Sequence, residues 1–317
     1  MRAEDRPLAL VTVPDAIGAG TAAARVCDVV VWPDLADPAA FLAERAASVR
    51  AIVTVSTLPL PADLDRFPAL ELLAFFGAGY AMAETERCLQ RGIAVTHGPG
   101  INHLDVADVA VGLVIAAVRG LAAGDRLIRA GGWRGLVPLP MTPSLRDLRY
   151  GIVGLGAIGT AVAERLAPFG GAIAWWGPTV RSDARWPRAA SLIELARTSD
   201  VLVVAARGDE GTRGLIDAAV LAALGPAGYL VNVSRGFVVD EPALVSALRE
   251  GRLAGVGLDV FDPEPTDPAR WAGIETAVLS PHLGGAASAS TAGAQALLTE
   301  NLRRHFAGEA LLTPVPR

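Results

Sequence analysis

The sequence predicts an α/β protein made of two parallel-sheet domains, and three observations carry that reading. Short apolar runs alternate with alanine-rich stretches long enough for helices, the rhythm that builds parallel sheets. The chain has 317 residues and 52% hydrophobic content, enough for two separately packed cores. The alternation is also interrupted once, by the glycine- and proline-rich stretch 131–143 that contains Trp133, and then begins again.

In the first half, apolar runs at 8–13, 51–55, 70–77 and 93–97 predict strands separated by helices. A helix is predicted over His103–Val118, with Asn102 as its cap and Asp105 and Asp108 in its first turns. It is so apolar that it should be buried on most faces, at a domain or subunit contact. After the interruption, Tyr150-Gly151-Ile152-Val153 reads as a strand running into Gly154-Leu155-Gly156-Ala157-Ile158-Gly159, with a helix over 161–169. Further apolar runs at 172–176, 201–206, 228–234, 255–260 and 277–280 predict the remaining strands of a buried parallel sheet. No internal repeat is evident.

Strand, glycine turn and helix in that order are the context a dinucleotide fingerprint requires. Gly154 permits the tight turn, Gly156 lets the backbone approach a pyrophosphate, and Gly159 lets the helix pack against the sheet. The helix N-terminus then faces the phosphates. With 34 glycines in the chain, the competing reading is a glycine cluster that serves packing alone.

Composition narrows the partners. The net charge is −5, all 28 basic residues are arginine, and no basic run occurs, so neither nucleic acid nor an anionic membrane is expected. A small molecule is the expected partner. Cys27 and Cys88 stand alone, without metal-ligand or disulfide spacing, and read as buried free thiols with no metal site. The start Met1-Arg2-Ala3-Glu4-Asp5-Arg6-Pro7 lacks the apolar core of a signal peptide and no long apolar run follows, so a cytoplasmic location is expected.

Ligands of open parallel sheets collect at the carboxyl ends of strands. Arg235 follows Tyr229-Leu230-Val231-Asn232-Val233-Ser234, Glu264 lies beyond Leu258-Asp259-Val260-Phe261, and His282 follows Leu279-Ser280-Pro281. Arginine grips carboxylates bidentately, and a carboxylate-paired imidazole moves protons. Taken singly, a surface arginine, a loop glutamate and a turn histidine are all ordinary.

Together with their flanking motifs these residues resemble the D-isomer-specific 2-hydroxyacid dehydrogenase family, in its hydroxypyruvate and glyoxylate reductase branch. The motifs are Gly151-Ile152-Val153-Gly154-Leu155-Gly156-Ala157-Ile158-Gly159, Val231-Asn232-Val233-Ser234-Arg235-Gly236-Phe237-Val238-Val239-Asp240-Glu241, Gly257-Leu258-Asp259-Val260-Phe261-Asp262-Pro263-Glu264-Pro265 and Ser280-Pro281-His282-Leu283-Gly284-Gly285. Phe76-Gly77-Ala78-Gly79-Tyr80 and Arg91-Gly92-Ile93-Ala94-Val95-Thr96 resemble the family's substrate domain, although Ala81-Met82-Ala83 replace the polar residues usual after the tyrosine.

The resemblance implies two Rossmann-like or flavodoxin-like domains. A dinucleotide domain, 101–284, is inserted into a discontinuous substrate domain, 1–100 with 285–317, and the active site is the cleft between them. It implies that His282 protonates the substrate oxygen in 2-oxo acid reduction, that Glu264 holds His282 and raises its basicity, and that Arg235 binds carboxylate and carbonyl. Backbone amides at Ala78 and Gly79 would hold the carboxylate as well, a simple tight turn being the alternative there. Thr212, Val233 and Ser234 fall to the cofactor on the same basis. Asp259 is placed at the nicotinamide carboxamide, or alternatively ties down the following loop through its amides. A homodimer is implied, with the helix His103–Val118 as its core, and Trp133 would either reach a neighbouring site or simply pack.

One departure concerns the cofactor. An acid is expected about twenty residues beyond the glycine turn to accept from the ribose hydroxyl, but the strand Ala172-Ile173-Ala174-Trp175-Trp176 ends in Gly177-Pro178-Thr179-Val180-Arg181-Ser182. Glycine leaves room for a ribose phosphate, and Thr179, Arg181 and Ser182 are candidate donors to it. Arg207 stands where the family usually has proline and is a second cation for the same phosphate; solvated side chains are the alternative for both arginines. NADP(H) is therefore favoured, with NAD(H) the alternative. Corepressors of the C-terminal-binding-protein type share this fold and trio, so a dinucleotide-sensing binding protein stays open, as does phosphite oxidation. Formate oxidation fits less well, because that branch has glutamine in place of Glu264. The loops Ser56-Thr57-Leu58 and Leu139-Pro140-Met141 are those expected to set pocket size.

Overall fold

In the computed structural model, residues 6–136 and 140–316 are described. Leu139 of the pocket loop and the N-terminal residues before Arg6 lie outside them. The chain divides into two compact units, one formed by Met1–Asn102 with Gly285–Arg317 and the other by His103–Gly284.

The first unit opens with β1 (Leu8–Val11), α1 (Ala19–Ala23), β2 (Asp28–Val31), α2 (Pro38–Glu44), β3 (Val49–Thr54), β4 (Leu72–Phe75), α3 (Met82–Gln90) and β5 (Ala94–Thr96). Its five strands are parallel in the order β2-β1-β3-β4-β5. Side chains alternate between the two faces, as the pleat requires: Leu10, Ile52 and Leu73 enter one core, while Ala9, Val11, Ala51 and Val53 enter the other. Strand β2 is an addition to the predicted set. Its run Asp28-Val29-Val30-Val31 is short, stops before Pro33, and lies half-covered at the sheet edge, so it lacks the pattern of a fully buried strand. Cys27 and Cys88 are buried and unpaired, and burial pushes their thiols up to about 12 and about 11.

The second unit contains α4 (His103–Val118), α5 (Leu121–Arg129), β6 (Tyr150–Val153), α6 (Ala157–Leu166), β7 (Ile173–Trp176), α7 (Leu192–Arg197), β8 (Val201–Val204), α8 (Ala218–Leu224), β9 (Tyr229–Asn232), α9 (Glu241–Arg249), β10 (Gly255–Leu258), α10 (Pro268–Trp271) and β11 (Ala277–Leu279). Six parallel strands run in the order β11-β10-β9-β8-β6-β7. Tyr150, Ile152, Val201, Val203 and Val231 face the core under α4 and α6, whereas Val153, Leu202, Val204 and Leu230 face the core that Leu195, Leu221 and Leu244 complete. After β7 the chain crosses back over β6 to β8, so the order reverses between β6 and β8. In open sheets of this kind, the carboxyl ends of the strands flanking such a reversal are where ligands bind.

Two helices correct the sequence reading. Helix α6 begins at Ala157, four residues before the predicted start, with Gly156 as its N-cap, so the glycine turn and the helix N-terminus are one structure. Helix α4 buries only the stripe Val106, Ala107, Ala110, Leu113, Val114 and Val118. Its opposite side keeps Leu104 51% exposed, because only one face meets β9, β10 and α6. Gly257 permits that approach, since a Cβ there would lie 2.9 Å from Leu113 Cβ. The short helix α5, for which the sequence analysis predicts no element, has no buried residue. Trp133 is not packed either: it is 60% exposed, and its indole N–H donates to the Gly135 carbonyl at 2.8 Å. No single helix among the described residues is long and apolar enough to cross a membrane.

The chain then returns to the first unit through α11 (Ser288–Phe306), whose Leu298 and Leu302 pack into the core of α1 and β1. Near its end, the buried His305 Nε2 is 3.5 Å from Glu71 Oε2, an ion-pair distance without a hydrogen bond. Glu71 is itself gripped by Arg50 at 2.6 and 3.1 Å. Burial pushes the His305 imidazole down, against the pull of the Glu71 charge, while Arg50 adds to the lowering. The unfolded chain therefore takes up the proton first, so stability is full above the ordinary histidine value of 6.5 and declines as pH falls through it. Thermal melts at pH 7.5 and 5.5 are expected to show a larger acid loss in the wild type than in His305→Gln; equal losses would contradict this assignment.

Candidate active site

The three fingerprint glycines do three different things. Gly154 has φ +89°, and a Cβ on it would lie 2.6 Å from Ala206 Cα, which brings the end of β6 against the end of β8 at the switch point. A Cβ on Gly159 would run into the Gly154 carbonyl and lie 3.1 Å from Ile152 Cγ2, leaving no room for a side chain. A Cβ on Gly156 would meet no atom within 4 Å. That open face lies at the N-cap of α6, where backbone N–H groups and the helix dipole attract phosphate. Leu155, Ala157 and Ile158 complete the turn, and the Leu155 carbonyl accepts from Arg181 at 2.5 Å.

At the end of β7, Gly177 is buried, with a would-be Cβ 3.2 Å from the Trp175 ring. Its carbonyl accepts from Arg188 at 2.7 and 3.2 Å, and that guanidinium lies 5.9 Å from the Trp175 ring centroid. Arg188 carries no local sequence signal, because it reaches this position only by pairing back along β7. Arg181 is also gripped by Asp183 at 2.6 and 3.1 Å, so its charge has a partner. Thr179 and Ser182 are exposed beside it. Beyond β8, the Thr212 hydroxyl accepts from Asp209 N and donates back to the loop carbonyls of Arg207 and Asp209, at 2.8 to 2.9 Å. It shapes the loop that carries Arg207.

Arg235 is aimed from the end of β9. The buried Asn232 accepts from Ser234 N at 3.0 Å and donates to the Arg235 carbonyl at 3.0 Å. Ser234 donates its hydroxyl to the Ala206 carbonyl, and Val233 is buried beside it. A Cβ on Gly208 would lie 2.9 Å from Arg235 Cβ and nearer still to Cγ, so this glycine makes way for the arginine stem. Burial pushes the Arg235 guanidinium down, and the Glu264 charge pulls it back.

Glu264 and His282 form a direct pair, with His282 Nδ1 2.7 Å from Glu264 Oε2. The other carboxylate oxygen accepts from Phe261 N at 3.0 Å. Held ionised, the Glu264 carboxylate only accepts, so Nδ1 bears the hydrogen and Nε2 is the nitrogen left to exchange a proton. Burial raises the Glu264 carboxyl, but the His282 bond, the Phe261 amide and the charges of His282 and Arg235 outweigh it and hold the group below the usual range.

His282 has φ +55°, a left-handed conformation that costs a non-glycine residue about 1–2 kcal/mol. Asp259 holds it there. The Asp259 carbonyl accepts from His282 N at 2.8 Å, and its buried carboxylate accepts from Ser280 Oγ at 2.6 Å and from the amides of Leu283 and Gly284 at 2.8 Å. These bonds are the partners that the loop-tying reading of Asp259 requires.

Ala78 and Gly79 lie in the other unit, on the loop after β4. There His97 Nδ1 donates to the Ala78 carbonyl at 2.9 Å, and Gly98 N donates to the Gly77 carbonyl at 2.7 Å. The His97 ring packs edge-on to Tyr80 at 4.9 Å. No local sequence signal gives His97 this role, since its partner lies 19 residues away in the chain.

A doubly wound sheet with a phosphate-ready glycine turn and a carboxylate-held imidazole electrostatically linked to a half-buried arginine belongs to the class of dinucleotide-dependent oxidoreductases. A family model, D-isomer specific 2-hydroxyacid dehydrogenase, NAD binding domain, matches residues 111–284. The chain is 41% identical over 276 residues to a hydroxyphenylpyruvate reductase of Plectranthus scutellarioides, covering 87% of this chain and 88% of the relative. It is 39% identical to a glyoxylate/hydroxypyruvate reductase A of Arabidopsis thaliana, covering 84% and 86%. Among solved structures, an NADPH-dependent glyoxylate/hydroxypyruvate reductase of Sinorhizobium meliloti in complex with NADP and malonate superposes with a TM-score of 0.88 at 36% identity, covering 98% of this chain and 97% of that one. The chain belongs to the D-isomer specific 2-hydroxyacid dehydrogenase family, in its reductase branch.

Proposed function

We propose that this protein reduces a small 2-oxo acid of the glyoxylate or hydroxypyruvate kind to the D-2-hydroxy acid, with NADP(H) preferred over NAD(H). The observation that carries the reading is the 2.7 Å bond between His282 Nδ1 and Glu264, electrostatically coupled to Arg235. Gly154, Gly156, Gly159 and the N-terminus of α6 would hold the pyrophosphate, and the open side of Gly156 fits that use.

The nicotinamide, when bound, supplies the hydride. Negative charge then grows on the substrate oxygen, and His282 delivers the Nε2 proton to it while Glu264 stabilises the imidazolium. Arg235 grips the substrate carboxylate and places fixed positive charge beside the carbonyl. The amides of Ala78 and Gly79 are proposed as further carboxylate donors. Reversal makes Nε2 the base, so reduction falls and oxidation rises with pH.

Preference for the ribose phosphate rests on Gly177 standing where an acid is expected, with Thr179, Ser182 and the arginines 181, 188 and 207 nearby in sequence or fold. A panel of glyoxylate, hydroxypyruvate, pyruvate and bulkier 2-oxo acids with each cofactor is the direct test. NADPH oxidation with the small acids supports the reading, whereas silence across the panel overturns it. Gly177→Asp adds a charge that repels the phosphate, and the ratio of kcat/KM for NADPH over NADH is expected to fall at least about tenfold, the worth of about 1.4 kcal/mol. We further propose a homodimer that covers the open side of α4 around Leu104. Sedimentation equilibrium giving the monomer mass would overturn it.

A further inference from the structure

We propose that Glu241 and Arg270 form a positioning clamp that sets Glu264, and through it His282, for proton transfer; the inference rests on the reductase reading above. Glu241 is 5% exposed in the first turn of α9. Its Oε2 accepts from Asp262 N at 3.1 Å, and its Oε1 pairs with Arg270 Nη1. The same Nη1 donates to the Asp262 carbonyl at 3.0 Å. The pair thus holds Asp262 by both its N–H and its C=O, two residues before Glu264.

The neighbouring peptide is trapped from another direction. Gly236, next to Arg235, lies so close that a Cβ on it would sit 2.6 Å from Asp262 N and nearer to the Phe261 carbonyl. Phe261 packs edge-on to Trp271 at 5.8 Å, and its amide is the donor to Glu264 Oε1 at 3.0 Å. Displacing the peptide between Phe261 and Asp262 would therefore shift Phe261, and with it the adjoining N–H that donates to Glu264.

A general stabilising role is a weak account of this pair. Glu241 is buried but the Arg270 side chain keeps 31% of its exposure, so solvent screens their attraction while desolvation of the carboxylate offsets part of what remains. A backbone clamp needs both charges, because each supplies a hydrogen bond of the opposite sense to one residue. The arginine is held firmly in its charged form, first through its bond to Glu241.

The chain contains four histidines, so the ring N–H signal of His282 is assignable by nitrogen-15 histidine labelling. In the wild type, Nδ1–H bonded to Glu264 is expected as a downfield, slowly exchanging resonance, and Glu264→Ala is expected to abolish it. Glu241→Gln and Arg270→Met are expected to broaden or lose that resonance, to shift the high-pH limb of kcat/KM for reduction toward lower pH, and to reduce kcat on the order of tenfold with little change in KM. Arg270→Lys is expected to recover part of the signal and carries the test if Glu241→Gln does not fold. If the clamp variants keep the wild-type resonance and pH profile while Glu264→Ala loses them, the clamp is overturned. If Glu264→Ala also keeps them, it is the pairing of Glu264 with His282 that fails.

Discussion

Replacing His282 by asparagine is expected to lower 2-oxo acid reduction by about 10²–10⁴-fold, the range for loss of a positioned general acid, while NADPH binding is unchanged. Asparagine is the informative replacement because of the φ of +55° at this position. It tolerates the left-handed conformation better than alanine does, so the loop held by Asp259 should keep its shape. The variant should also lose the pH dependence that separates reduction from oxidation. Turnover measured beside a fluorescence titration with NADPH checks both halves, and retained turnover would remove His282 from the mechanism.

Arg235→Lys is expected to reduce kcat/KM by about 10²–10³-fold, comparable to losing a donor aimed at developing negative charge. Lysine keeps a positive charge but lacks the planar fork that meets a carboxylate with two parallel bonds. The site would also act on the new group: burial already pushes the arginine down, and a buried ammonium loses its proton far more readily than a guanidinium. The lysine variant should therefore weaken further as pH rises, in a range where wild-type Arg235 stays charged. Initial rates from pH 6 to 10 at saturating cofactor test this, and parallel profiles for the two proteins would contradict it.

Much of the molecule was legible in the chain. The glycine turn could be read because strand, turn and helix are contiguous, and its three glycines occupy distinct environments. The strands that precede Arg235, Glu264 and His282 were legible from their apolar runs: β9 and β10 are largely buried, and β11, although an edge strand, is apolar throughout. Contacts between distant segments were not legible. His97 supports Ala78, Arg188 reaches Gly177, and Glu241 grips Asp262, each from a residue far along the chain or on a pairing that only the fold creates. Strand β2 escaped because an edge strand is half-covered and shows no buried pattern. The start of α6 escaped because glycine lowers helix propensity, although here the glycines form the helix entry itself.

The return of the chain through α11 has a consequence for synthesis. A ribosome releases β1 to β5 early, but their core lacks Leu298 and Leu302 until the last segment emerges. The second unit, continuous in sequence, can close its own core before that moment. Truncation from the C-terminus should therefore harm the N-terminal sheet first, leaving a folded dinucleotide unit tethered to an open one.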